Sequence, residues 1–245
     1  MATTGRGTSG TGATAGGLAD DRALLSRTST AERVADILRG RIAEGYFRPG
    51  ERLSEEGIGK ALNVSRNTLR EAFRLLTHER LLVHQLNRGV FVRRLAVRDV
   101  ADIYRTRRLV ECAVVHDLGE PPYPLDGLET AVATGERHEH EADWTGVATA
   151  NIHFHRELVA LAGSARTDEL MRGVLAELRL AFHVVDDPRG LHRPYLLRNR
   201  TILEALRDGD RTAAERLLAD YLEDSRAQLV EVYSRVVADE DTDAF

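Results

Sequence analysis

The chain has 245 residues, of which 30% are charged and 42% apolar, with a formal net charge of −5 and a single cysteine. That balance suits a soluble globular protein of one large or two ordinary domains. No apolar run approaches the roughly 18 residues of a membrane span. One cysteine cannot close an internal disulfide, so a cytoplasmic protein held by packing is expected.

Residues 1–27 are rich in Gly, Thr, Ala and Ser and have no apolar segment of signal-peptide type. A disordered tail is expected there. Residues 30–45 carry a helical stripe of Val34, Ile37, Leu38 and Ile42 that starts after Ser29 or Thr30. Pro49-Gly50 breaks the chain. Ser54 then caps a short helix over SEEGIGKAL, in which Gly57 and Gly59 each cost about 1 kcal/mol relative to Ala. After the turn at Asn63-Val64, Ser65 caps a third helix, SRNTLREAFRLLTHER, with Leu69, Ala72, Phe73 and Leu76 inward. LLVHQ and GVFVRR read as two strands joined by LNRG.

Three helices followed by a hairpin is the order of a winged helix-turn-helix, whose third helix enters the major groove of DNA. Ser65, Arg66, Asn67, Thr68 and Arg70 crowd the N-terminal turns of that helix. An arginine fork matches the O6/N7 edge of guanine, worth about 1–3 kcal/mol of discrimination, and a capped helix N-terminus suits a phosphate. Charge agrees: residues 31–95 hold 13 Arg and Lys against 8 Asp and Glu, whereas residues 96–245 hold 18 against 29.

Beyond Val97 the pattern is helical over roughly 98–118, 123–140, 143–162, 165–185, 190–209 and 211–237, with breaks at Pro121, Pro122 and Pro124, at 187–190 and at 209–210. The expected fold is mainly α, a winged helix-turn-helix over 28–95 followed by an all-α antiparallel bundle over 96–245. Cys112 lies in the apolar run RRLVECAVV and should be a buried small hydrophobe. Arg107, Asn151, Asn199 and Tyr221 each interrupt an apolar stripe, and His155 lies one turn from Asn151. His153 points to the opposite face. His183, within LAFHVV, is expected to be a packed core histidine.

RPGERLSEEGIGKALNVSRNTLREAFRLLTHERLLVHQLNRGVFV resembles the winged-helix domain of GntR-type transcription regulators. DIYRTRRLVE, NIHFHREL and ILEALRDGDRTAAERLLADYL resemble the FCD-type helical domain of the FadR subgroup. The resemblance implies a homodimer on double-stranded DNA with a palindromic operator, Arg88 and Gly89 forming the groove-contacting tip of the wing, and a repressor that a small molecule releases. It also implies a glycine where this chain has Arg80, as a left-handed helix cap.

Domains of this type commonly hold a divalent metal with an Asp, a His four residues on and two further His; those places here are Asn151, His155, Asn199 and Tyr221. Asn is a poor ligand for zinc or nickel. The expectation is therefore no metal and no other cofactor, and a pocket in which Arg107 grips a carboxylate-bearing effector that Asn151, His155, Asn199 and Tyr221 orient.

Three other readings stay open. The polar groups can form a satisfied internal network, Arg107 with Glu111 and Asn151 with His155. The helical domain can serve dimerisation alone. A metal-dependent hydrolase around His153 and His155 is the third, against which stands the lack of HExxH, a nucleophile motif or a phosphate-cradling loop; no enzyme activity is expected.

Overall fold

The computed structural model describes residues 29–242, with side chains to residue 235; the tail expected over 1–27 lies outside the described residues. Helix α1 (Thr30–Ala43) begins at a capping box in which Ser29 Oγ accepts the Glu32 N–H at 3.1 Å and the Glu32 carboxylate accepts the Ser29 N–H at 2.6 Å. Val34, Leu38 and Ile42 pack inward with Ala31 and Ala35. Ile37, expected in that stripe, is 48% exposed; at 100° per residue it falls about 120° from the centre of the buried face. The helix closes with Gly45 at φ +78°, Gly45 N–H on Ile42 O at 3.0 Å and Tyr46 N–H on Arg41 O at 2.9 Å. This paired left-handed cap favours glycine.

Ser54 caps α2 (Glu55–Leu62) and Ser65 caps α3 (Arg66–His78), each accepting the backbone N–H three residues on. Leu69, Ala72, Phe73 and Leu76 of α3 are buried, as its spacing predicts. At the end of α3, Arg80 takes φ +59°, with Arg80 N–H on Thr77 O at 3.0 Å and Leu81 N–H on Leu76 O at 2.9 Å. The left-handed cap is thus kept with an arginine in it, at a cost of roughly 1–2 kcal/mol in backbone strain.

The hairpin forms from β2 (Leu82–Gln85) and β3 (Gly89–Val92), antiparallel with Gln85 opposite Gly89. A further strand, β1 (Arg52–Leu53), pairs with β3 to give a sheet of order β1-β3-β2. The sequence shows only a turn there, because two residues have no alternation to read.

Residues 93–96 then lead into the bundle without slack. Arg93 N–H bonds Leu81 O at 2.9 Å, Leu95 is buried, and Ala96 N–H donates to Asp99 at 2.8 Å. The bundle comprises α4 (Val97–His116), α5 (Asp126–His140), α6 (Trp144–Ala160), α7 (Ala165–Phe182), α8 (Pro188–Arg207) and α9 (Arg211–Thr242). Helix α6 packs against α4, α5, α7 and α8, while α9 lies on α4 and α8. The N-terminal unit meets the bundle where α1 reaches α7.

Among the described residues no helix is long and apolar enough to cross a membrane. Cys112 is half-buried rather than buried, on the flank of α4; burial first, then the Glu111 charge, push its thiol up to about 11.

Arg80→Gly should raise the stability measured by urea unfolding by about 1 kcal/mol, since it removes the left-handed strain. The side chain it deletes lies only 4.0 Å from Glu177 and is 67% exposed, a contact of little worth.

Candidate functional site

Two clusters carry the chemistry, one on the surface and one in the core. On the surface, Ser65, Arg66, Asn67 and Arg70 are exposed and Thr68 half-exposed along the first turns of α3. Ser65 Oγ serves as cap to the Thr68 N–H at 3.1 Å and lies 2.8 Å from Thr68 Oγ1. Arg70 donates Nε–H to Glu55 of α2 at 3.0 Å. That bond uses only Nε–H, and the side chain is 66% exposed. Arg88 sits exposed in the hairpin loop, 5.9 Å from the Phe91 ring centre, and Gly89 opens β3 at φ +108°.

In the core, α4, α6, α8 and α9 bring Arg107, Asn151, His155, Asn199 and Tyr221 together, all buried. Helical spacing explains the convergence, since each residue sits on the apolar face of its own helix. Arg107 Nε–H donates to Glu111 Oε1 at 2.8 Å, and His155 Nδ1 donates to Glu111 Oε2 at 2.7 Å. On the other side, Asn151 Oδ1 accepts Asn199 Nδ2–H at 2.7 Å and the Tyr221 hydroxyl at 2.9 Å. Arg107 also lies 4.9 Å from the Tyr104 ring centre, and the Tyr104 hydroxyl is 2.6 Å from Ser225 Oγ.

The internal pairing therefore differs from the one expected. Arg107 does pair with Glu111, but Asn151 turns to Asn199 and Tyr221, and His155 turns to Glu111. The network is also incomplete: Arg107 Nη2, His155 Nε2 and Asn199 Oδ1 are buried and have no hydrogen-bond partner.

Protonation states follow from burial and charge. Burial works against the Glu111 carboxylate, yet Arg107 and then His155 outweigh it and hold its pKa below the ordinary value. Burial likewise opposes the Arg107 charge, and Glu111 reverses the balance, so its pKa is raised. Burial lowers the His155 pKa more than Glu111 restores it, leaving a neutral ring at pH 7. An ionised carboxylate only accepts. The His155 proton is thus on Nδ1, and Nε2 presents a bare lone pair.

The FCD domain model matches residues 102–224, and that of bacterial regulatory proteins of the gntR family matches residues 30–92. The chain belongs to the GntR family. Family membership makes it a DNA-binding transcription regulator with an FCD domain.

A crystal structure from Rhodococcus sp. RHA1, described as that of a GntR transcriptional regulator, is 50% identical, covers 84% of this chain and 100% of that one, and superposes with a TM-score of 0.81. The Nta operon transcriptional regulator of Aminobacter aminovorans is 29% identical over 203 residues, 78% of this chain and 93% of that protein. The gluconate operon transcriptional repressor of Bacillus subtilis (strain 168) is 40% identical over 95 residues, 38% of each chain.

A metal of the FCD type does not fit this GntR regulator's donor set. Burial raises the Tyr221 pKa, so its phenol keeps its proton and donates rather than ligates. Asn151 Oδ1 is already shared between two donors. One imidazole nitrogen and one amide oxygen remain, short of the three or four ligands of a stable site. Among the described residues no group of three or more His, Cys, Asp or Glu could hold an ion.

Glu111, Tyr104 and Ser225 were absent from the expected pocket. Glu111 had a signal, its i+4 spacing from Arg107; Tyr104 and Ser225 meet across α4 and α9 and had none. His183 is half-buried between α7 and α1, with Nε2 3.0 Å from Ile42 O, rather than packed in the core.

Glu111→Ala should cost about 3–5 kcal/mol in chemical denaturation, because it strands a buried guanidinium. Asn199→Ala, which removes one neutral bond, should cost about 1–3 kcal/mol. With its folded pKa depressed, Glu111 contributes stability that is fully present above about pH 4.5 and drains away as the pH falls through the lower folded value. His155, neutral in the fold with a pKa lowered from 6.5, adds a loss that begins below about pH 6.5. Wild-type stability should therefore fall with acid across this window.

Proposed function

We propose that the chain is a homodimeric repressor, bound to a palindromic operator and released by a small organic anion held in the core of the helical domain. The observation that carries this reading is the set of three unpartnered buried atoms, Arg107 Nη2, His155 Nε2 and Asn199 Oδ1. Leaving such groups unpaired costs roughly 1–3 kcal/mol each, a cost that a complementary ligand recovers. Their chemistry describes the ligand. Arg107 Nη2–H offers a charged donor to an anionic oxygen, and His155 Nε2 and Asn199 Oδ1 offer two acceptors to a hydroxyl or amino group. A small hydroxy- or amino-carboxylate meets all three.

Two-fold protein symmetry mirrored in the operator half-sites is the usual geometry for such DNA readers. The face we propose for dimerisation is the exposed apolar strip of α4 and α7. There Leu109 is 69% and Leu170 52% exposed, beside a groove of about 530 Å3 lined also by Val110, Ala113 and Val114. Leu109→Glu should convert the dimer to monomer in analytical ultracentrifugation, and a dimer that persists would move the interface elsewhere.

The reading has a direct test on each cluster. Arg66→Ala and Arg70→Ala should each lose specific operator binding by footprinting, at about 1–3 kcal/mol per lost guanine fork, with the fold intact. In thermal-shift titrations with a panel of hydroxy- and amino-carboxylates, one or more should stabilise the wild type. Asn199→Ala, which leaves the Arg107–Glu111 pair in place, should weaken that shift while operator affinity stays unchanged. No stabilisation by any member, with no retained small molecule in native mass spectrometry, would overturn the effector assignment.

A further inference from the structure

The N-terminal unit rests on the bundle through Arg93, which bonds Glu177 of α7, and through the end of α1. The carbonyls that end α1 offer acceptors, and the C-terminal end of α7 with its cap residue reaches two of them, one of which, Ile42 O, also accepts Gly45 N–H. Arg179 Nε–H donates to Ala43 O at 2.8 Å, and His183 Nε2 lies 3.0 Å from Ile42 O. Gly45 keeps the seat open, since a Cβ there would stand 2.9 Å from the His183 ring.

Arg179 reaches further. Its Nη2 donates to Thr149 Oγ1 at 3.0 Å and to Thr145 O at 3.3 Å, both on α6. One guanidinium therefore touches α1 of the DNA-reading unit and α6, the helix that carries Asn151 and His155.

This arginine does not resemble a static cross-link. It is 7% exposed, its three hydrogen bonds go to neutral oxygens, and Nη1 is buried without a partner. Asp143, the cap of α6, acts on it only through space. Burial pulls its pKa down to about 10, so it remains a cation at pH 7. A buried charge without a bonded counter-ion stabilises an interface weakly, and the C-terminal dipole of α1 supplies only part of the compensation. Elsewhere along α7, a cleft of about 790 Å3 is lined by residues of both units, among them Asp36, Arg80, Asp102 and Glu177.

We propose that Arg179 is the positioning residue that couples α6 to α1, so that rearrangement around Asn151 and His155 resets the angle of the DNA-reading unit. The coupling itself needs only the bridge; its use by an effector rests on the reading of the buried cluster given above. Equilibrium coupling is reciprocal, so DNA serves as the probe. A tight-binding duplex is first selected from a random pool with the wild-type chain. Hydrogen exchange of the full-length protein is then followed with and without that duplex.

Duplex binding should change exchange of the 145–155 amides by about fivefold or more in the wild type. Arg179→Met should still bind the duplex but lose that distant change. Thr149→Val, an exposed position that spares the α1 bond, should reduce it and carries the test if Arg179→Met fails to fold. A wild type without the change, or variants that retain it in full, would overturn the proposal. Loss of the effector reading alone would leave the duplex-induced change intact, and so the two failures are distinguishable.

Discussion

A carboxylate buried among helices, with no exposed surface, sets the terms for the rest of the bundle. Glu111 is 0% exposed and holds Arg107 on its own helix and His155 across on α6. Desolvation of three ionisable groups is costly, and the hydrogen bonds made in this alignment of α4 and α6 offset it. On the proposed effector reading, the same contact decides what the interior can recognise. It consumes one edge of the guanidinium and leaves another. It fixes the imidazole tautomer, and because burial keeps the ring neutral, Nε2 presents a lone pair. An uncharged replacement for Glu111 would change both the joining of α4 to α6 and the hydrogen-bonding sense of the buried cluster.

The DNA-reading unit solves the opposite problem, that of keeping a small structure rigid with little core. The Arg39 guanidinium forks onto Glu79 at 2.7 and 2.6 Å, tying α1 to the end of α3. Glu55 holds Arg70 from α2. Both are partly exposed pairs whose individual worth is modest, yet together they limit the freedom of α3 relative to its supports. If α3 reads bases as proposed, it gains selectivity from forks held in place before they meet a base edge. The basic and acidic halves of the chain thus differ in role as well as sign, ordered surface arginines in one and a desolvated charge network in the other.

Much of this was legible in the sequence where a local rule applied. The caps at Ser29, Ser54 and Ser65 and the buried row Leu69, Ala72, Phe73 and Leu76 follow from spacing and from short-range hydrogen bonding. Convergence of Arg107, Asn151, His155, Asn199 and Tyr221 was foreseeable because a polar residue in an apolar stripe must go inward. What the stripe cannot specify is which inward group meets which. Asn151 pairs with residues 48 and 70 positions away, and His155 with one 44 positions earlier. The bond from Arg179 to Ala43 spans 136 positions and involves a backbone oxygen that has no residue code at all. Arg80 shows what the residue code leaves open: glycine is the residue that suits a left-handed cap, and the surrounding helix end imposes that conformation on an arginine.

The short passage from β3 to α4 bears on how such proteins can be recombined. Residues 93–96 look like a linker, but Arg93 bonds Leu81 O, Leu95 is buried and Ala96 is bonded to Asp99. Arg93 also reaches Glu177 on α7 at 2.6 Å. A chimaera cut at that point would sever a folded joint and leave each half with a surface built for its original neighbour. The natural seam is three-dimensional, and a transplanted sensor must bring both the start of α4 and the end of α7 to a matching helix end on the reader. Regulators of this build should therefore exchange parts by co-ordinated change at separated positions, and simple module shuffling should give chains that fold but do not communicate.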